Sequence, residues 1–400
     1  MASVRPLTDL TVADLWREVK DPATIWGDVS QQTLRTVKLL LENRMHDELT
    51  AYLNAGQYVR DYSGRRGYRN GTYRRRLTTT WGTIPDLQIP RARDAGFRPS
   101  VVARYQHRTE HVNRLVRAVF LGGLSTRRVG PALAALLGDT VSPATVSKIT
   151  QALDQAVAAF HTRRLADHSQ YLFLDAVTLR VKTPDGTRRR HALVAYGRTA
   201  TGQRELIDYR LVRQECQTTW EPFLINLAGR GLTGAALHLI TTDGHAGLHA
   251  ALILVYPQIP RQACWVHVLR NVAQRLRVRD RARCLAMARR IYHAPTRSAA
   301  ERALEQWVRA WQPTAPAAVA CVLRDWEALL AFYAVPEHDW RRVRTTNAIE
   351  RAFREVRRRT RPMSCFTNTA SCDRIMFAVI WAFNQQAAGR PLSWETTQKS

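Results

Sequence analysis

The sequence predicts an α/β protein in which a mainly helical region precedes a sheet-centred core, and a helical insertion interrupts that core. Three observations predict it. An almost continuous apolar run opens at Tyr171 with one carboxylate inside it. Three strand patterns follow one another there before any helix. A long helical stretch, about Val268 to Tyr333, then separates the last strand from a basic helix that contains Glu350.

The first third reads as helices around a small basic hairpin. From Gln31 to Leu53, apolar residues at Leu34, Val37, Leu41, Met45, Leu49 and Leu53 recur every three or four positions, the stripe of an amphipathic helix. Gly56 is expected to end it. The arginine-rich segment Tyr68 to Arg93 combines an Asn70-Gly71 turn signal with β-branched residues, which predicts short basic strands, with a solvated charged face as the lesser alternative. Three helices are expected next, over Thr109 to Leu121, Ser125 to Leu137 and Ser142 to Phe160. The third has Ser142 as N-cap, Pro143 at the first helical position, and Val146, Ile149, Leu153, Val157 and Phe160 along one face. The short Gly138 to Ser142 connection makes the last two a helix-turn-helix candidate at 125–160. Thr145, Ser147 and Lys148 would stand at its reading end, with Arg127 and Arg128 as further DNA contacts. A purely structural bundle fits the same pattern.

The core begins with YLFLDAVTLRV, a buried-strand pattern around Asp175. An ionised carboxylate there costs several kcal/mol unless it is paired or binds metal. Turn residues Pro184 to Gly186 lead to a second strand, Arg189 to Gly197, and Thr201 to Gln203 lead to a third, Arg204 to Val212. A helix around Trp220 to Leu227 follows, then the strand LHLITTD with Asp243 at its carboxyl end, a helix from Ala246 to Tyr256, and a short strand around Ala263 to Val266. The order β-β-β-α-β-α-β is that of a ribonuclease-H-like core. In it the first and fourth strands are neighbours, so Asp175 and Asp243 are expected side by side. Glu350, in the first turn of TTNAIERAFREVRRRT, is the candidate third carboxylate. Asn347 followed three residues later by Glu350 also reads as a capping box, and Glu355 is the fallback. The segment LAGRGLTGAALHL offers no further acid.

Charge points to the partner. Sixty Lys and Arg against 33 Asp and Glu leave a net +27 and a pI near 11. Such an excess calls for a polyanion and for salt-sensitive binding. With 45% hydrophobic residues the chain can build real cores, so it is not a disordered basic tail. No apolar run approaches the ~20 residues that span a bilayer, and the six cysteines form no spaced framework. A cytoplasmic, nucleoid-associated protein without a membrane partner is expected.

FLDAVTLRV with Asp175, ITTDGHAGL with Asp243, RQACWVHVLRN with Cys264 and His267, and RTTNAIERAFREVRRRTR with Glu350 together resemble the Mutator-like transposases of bacterial insertion sequences. Upstream, RNGTYRRRL, LQIPRAR, FLGGLSTRRV and VSPATVSKI look like the same family's first half. The resemblance covers nearly the whole chain, with its motifs in order. It implies an Asp-Asp-Glu active site on a ribonuclease-H-like domain, a helical insertion before the Glu, and action on an element's terminal inverted repeats. The domains expected are a DNA-binding region at 1–164, a catalytic core at 165–267 and 340–385, and an insertion at 268–339. The partners implied are double-stranded DNA, both element ends and target, and a second copy of the chain as a homodimer on that DNA.

The chemistry explains the three carboxylates. Phosphodiester cleavage needs an activated oxygen nucleophile and relief of charge on phosphate, and two Mg²⁺ ions about 3.5 to 4 Å apart do both. Hard oxygen ligands suit Mg²⁺, with Mn²⁺ as substitute. Cys264 and His267 have no second pair at zinc-finger spacing. With Arg270 they are expected to support the active site, and a strand-to-helix packing role for the Cys and His is the alternative. A transposase-derived DNA-binding protein, or a ribonuclease-H-like nuclease without strand transfer, are the other classes. The first should have lost a carboxylate, and the second would not need the N-terminal region.

Overall fold

The computed structural model describes residues 25–58, 64–94, 96–122, 124–360 and 365–389. It divides into two compact units, residues 1–151 and 152–400.

In the first unit, helix α1 (Ile25–Leu53) lays its apolar stripe on a two-stranded antiparallel sheet, β1 (Arg69–Thr79) and β2 (Gly82–Ala92). Met45, Leu77, Ile84, Leu87 and Ile89 are buried together, with Leu34, Val37 and Leu41 against them. Two expectations shift. Asn54, at φ 47°, takes the left-handed position after the last helical residue, so the helix ends before Gly56 acts. Asn70-Gly71 does not make the hairpin turn. It lies inside β1, where the register slips between Arg69 and Thr72, and the chain reverses at Thr80-Trp81. A left-handed Gly71 produces a bulge as readily as a turn, and only pairing decides between them.

Helices α2 (Glu110–Leu121), α3 (Thr126–Leu137) and α4 (Pro143–Thr150) complete this unit. The Ser142 hydroxyl caps α4 by accepting from the Thr145 N–H at 3.2 Å. Gly130 of α3 lets the connection fold back closely, since a Cβ there would sit 2.1 Å from the Val141 carbonyl oxygen. The helix expected over Ser142 to Phe160 is interrupted at Gln151-Ala152 and resumes as α5 (Leu153–Thr162). The stripe continues, but α5 belongs to the second unit, where Asp154 accepts from Arg374 at 2.5 and 2.7 Å.

The second unit is built on a five-stranded mixed sheet of order β5-β4-β3-β6-β7. Strands β3 (Ser169–Thr183), β4 (Gly186–Thr199) and β5 (Arg204–Val212) are antiparallel, whereas β6 (Leu239–Thr242) and β7 (Arg261–Ala263) run parallel to β3. Leu172, Leu174, Leu193 and Ile207 point to one face. There they meet Trp220, Phe223 and Leu224 of α6 (Gln217–Gly229) and Leu248 and Leu252 of α7 (Ala246–Val255). Alternation sends Tyr171, Phe173 and Asp175 to the other face.

The strand expected around Ala263 to Val266 stops at Ala263, and Cys264 caps helix α8 (Trp265–Gln274) instead. Four helices follow: α9 (Val278–Tyr292), α10 (Arg297–Trp311), α11 (Pro316–Leu323) and α12 (Trp326–Leu330). Buried Trp307, Leu304, Val319, Val322 and Leu329 show that the Trp- and Ala-rich stretch does form helices with apolar faces. The chain returns through α13 (Trp340–Val343) to α14 (Asn347–Thr360) and α15 (Thr369–Ala387). No described helix is long and apolar enough to cross a membrane.

Candidate active site

Strand pairing brings two of the expected carboxylates together. Leu174 on β3 pairs with Thr242 on β6, so Asp175 and Asp243 are the next residues on neighbouring parallel strands. Asp175 is 7% exposed, and among the described residues its Oδ1 accepts only from the following N–H, Ala176, at 2.8 Å. Asp243 is half-buried at the strand end, where Gly244 at φ 86° turns the chain and the His245 N–H donates to Asp243 Oδ1 at 3.0 Å. Burial, then the Asp243 charge, push the Asp175 carboxyl up to about 7. Two like charges this close, with only the His267 imidazole to offset them, are a place where a cation would be stabilised.

Cys264 and His267 reach this point from α8. The Cys264 N–H donates to the carbonyl of Thr242, the residue before Asp243, at 2.8 Å, which anchors the start of the helix there. Thr346, just before α14, donates to Cys264 Sγ through its N–H at 3.3 Å and its hydroxyl at 3.4 Å. Burial works against the Cys264 thiolate, yet hydrogen bonds from His267 and Thr346 hold the thiol below its usual range. The hydrogen bond to Cys264 outweighs burial in raising His267 to about 8, with the Cys264, Asp175 and Asp243 charges adding to it. The protonated form of His267 is therefore favoured beside the two aspartates.

Glu350 is placed differently. It is half-buried in the first turn of α14, and its Oε1 lies 3.7 Å from Nη2 of the exposed Arg270. It is not among the charges that act most strongly on Asp175. The capping box is not formed: the helix starts at Asn347 itself and the Glu350 N–H bonds the Thr346 carbonyl at 3.1 Å, so Thr346 stands where Asn347 was expected. The Glu355 side chain lies outside the described residues.

A carboxylate that sequence reasoning missed stands here. Glu215 precedes α6 and accepts from Trp220 Nε1 at 3.2 Å; its Oε1 is 4.0 Å from His245 Nδ1. Gly247 permits the approach, because a Cβ there would sit 2.5 Å from the Gln217 nitrogen. Burial, then the Asp243 charge, raise the Glu215 carboxyl. Asp175, Asp243 and Glu215 thus offer hard oxygens, a donor type that Mg²⁺ or Mn²⁺ takes, beside the imidazole of His267 and the thiol of Cys264. Among the described residues no three His, Cys, Asp or Glu come together closely enough to hold an ion by themselves.

In the first unit, Arg127, Arg128, Ser147 and Lys148 are exposed. Thr145 is half-buried, and its Oγ1 accepts from the Ser142 hydroxyl at 3.0 Å, so it is engaged in the helix cap.

Residues 13–387 match the family described as "Transposase, Mutator family". The chain is 31% identical over 88% of its length to the transposase for insertion sequence element IS905 of Lactococcus lactis, 89% of which is covered. It is 34% identical to that for IS406 of Burkholderia multivorans, with 86% of this chain and 88% of the relative aligned. It is 31% identical to that for IS256 in transposon Tn4001 of Staphylococcus aureus, over 89% and 90%. A family match spanning both compact units, together with relatives aligned over most of their own length, shows that the chain belongs to the Mutator family of transposases.

Proposed function

We propose that this transposase binds the terminal inverted repeats of an insertion sequence through its first unit, cleaves them to free 3′-hydroxyls and joins those to target DNA. The observation that carries the reading is the meeting of buried Asp175 with Asp243 on adjacent strands. Three antiparallel strands followed by two parallel ones, with acids on the first and fourth, support a ribonuclease-H-like core. Asp175, Asp243 and Glu350 are the residues that would hold Mg²⁺, two ions in all, with Mn²⁺ as substitute. When bound, the metal supplies activation of the attacking oxygen and relief of charge on the phosphate.

The chain's own part is orientation. Asp175 and Asp243 present their carboxylates from adjacent strands, and His267, whose protonated form is favoured beside them, would meet the phosphate's negative oxygens. In cleavage a water oxygen bonds to phosphorus and the 3′-oxygen leaves with the bond's electrons. In joining, that 3′-oxygen attacks a target phosphodiester and expels the target's own 3′-oxygen, so one bond forms for each broken. Arg127, Arg128, Ser147 and Lys148 contact the repeats, with Thr145 holding the helix end, and the complex on DNA is a homodimer.

Purified protein incubated with labelled ends, target DNA and Mg²⁺ tests this. Asp243→Asn should bind ends and fail to cut. Glu350→Gln should melt within a few degrees of the parent and also fail. Cutting that persists in chelator would sink the metal reading.

A further inference from the structure

The β3–β4 hairpin is longer than its neighbours require. Pairing with β6 ends at Leu174 and pairing with β5 begins at His191, so the hairpin tip projects past both. Phe366 closes one side of it, donating its N–H to the Arg180 carbonyl and accepting from the Lys182 N–H, each at 2.9 Å. Beside this tip lies a cavity of about 490 Å³, lined by Lys182, Arg188, Arg190, Arg213, Asn368 and Thr369.

The register explains why the three arginines converge. Arg188 and Arg190 lie opposite Val181 and Leu179, hence on one face, and Arg213 directly follows Val212, which pairs with His191. Among the described residues, Lys182, Arg188, Arg190 and Arg213 form no ion pair with a carboxylate. Asp185 at the turn is the one acid that lines the cavity. Packing gains nothing from four unneutralised cations around one cavity, whereas a polyanion does.

We propose that this hairpin tip, through Arg188, Arg190 and Arg213, grips the phosphate backbone of the element-end duplex at a distance from the cut. Lys182 lies seven residues beyond Asp175 on the same strand, which is about 23 Å, or roughly seven base pairs of duplex. The occupant is the DNA that continues from the scissile phosphate, because that DNA must stay in place through both cutting and joining. The inference rests on reading Asp175 and Asp243 as the cleavage site.

The test uses the full chain and a duplex carrying the inverted repeat that flanks its own coding sequence. The measurements are phosphate-ethylation interference and the dependence of affinity on salt. The parent should show interference roughly seven positions from the cut. Arg188→Ala/Arg190→Ala/Arg213→Ala should lose that patch and lower the salt slope by about 2.7, the value for three phosphate contacts. It should still cut at saturating protein, and the triple Lys variant should restore the slope. An unchanged slope and pattern in the Ala variant, with a parent that cuts, would overturn the hairpin contact alone. A defect confined to a separate target duplex would overturn the assignment to element ends. A parent that binds but does not cut would overturn the cleavage reading and the distance with it.

Discussion

Asp208 on β5 and Asp175 on β3 are buried carboxylates of one sheet, 2% and 7% exposed, but their surroundings are opposite. Asp208 is ion-paired with Arg230 and meets His161 Nδ1 at 2.8 Å, while Arg230 also donates to the carbonyls of Arg163 at 2.9 Å and Phe160 at 3.2 Å. These bonds tie α5 to the sheet, and Tyr209 and Asp373 extend the network. Asp175 meets another carboxylate, a single neighbouring N–H and the charge of His267, and burial with the Asp243 charge prevails. A fold that can neutralise one buried acid so fully has left the other only partly compensated, which separates a structural charge from one held ready for a cation.

The largest effects should come from exchanging charge for shape at both positions. Asp208→Asn strands the Arg230 guanidinium and should cost about 3–5 kcal/mol in chemical denaturation. Asp175→Asn should do the reverse at pH 8. Its folded-state pKa, about 7 against a usual 3.8, means that stability falls as pH rises between those values and that the deficit is complete above 7. The Asn variant should therefore melt above the parent, lose stabilisation by Mn²⁺, and not cut DNA. An Asp175→Asn protein less stable than Asp208→Asn would break the comparison.

A second way to sharpen it is pH. Burial pulls the His161 imidazole down, but its hydrogen bonds to Asp208 and Asp373 prevail and raise it to about 9. The stabilisation is complete below its usual 6.5 and is lost as pH rises to about 9. Melting temperature should fall across that window in the parent and fall less in His161→Gln. Identical profiles would remove His161 from the network's charge balance.

The smallest effect is expected at Glu215. If it adds its charge to the Asp175–Asp243 site, Glu215→Gln should raise the Mn²⁺ concentration for half-maximal stabilisation by roughly 10-fold. Cutting at saturating Mn²⁺ should be little changed. An unaltered Mn²⁺ titration would return Glu215 to a packing role beside Trp220.

Much of the second unit was legible because its signals are local and periodic. The apolar run from Tyr171 and the turns at Gly186 and Gly202 stand where expected, and the strand expected over LHLITTD forms as Leu239–Thr242, with Asp243 just beyond its end. Even the side-by-side placement of Asp175 and Asp243 followed from element order, since β6 must cross over to pair with β3. The misreadings fall where local preference meets a distant partner. Cys264 to Val266 are apolar enough for a strand, but β7 pairs with β6 only as far as Ala263, and the Cys264 N–H is drawn to Thr242.

The sequence by itself determined the alternation of strands and helices, the excess of arginine and the acids that motif order singles out, because period, charge and residue type are properties of the chain. Only the tertiary structure decided that Glu215 stands beside the Asp243 loop, that Glu350 turns to Arg270, and that the cations of the β3–β4 tip share one cavity. Those are relations between residues far apart in sequence, and they exist only once strand register and the close approach at Gly247 have been set. The physical reason is that a side chain's electrostatic neighbours are chosen by packing, which is non-local, while its intrinsic preferences are written at its own position.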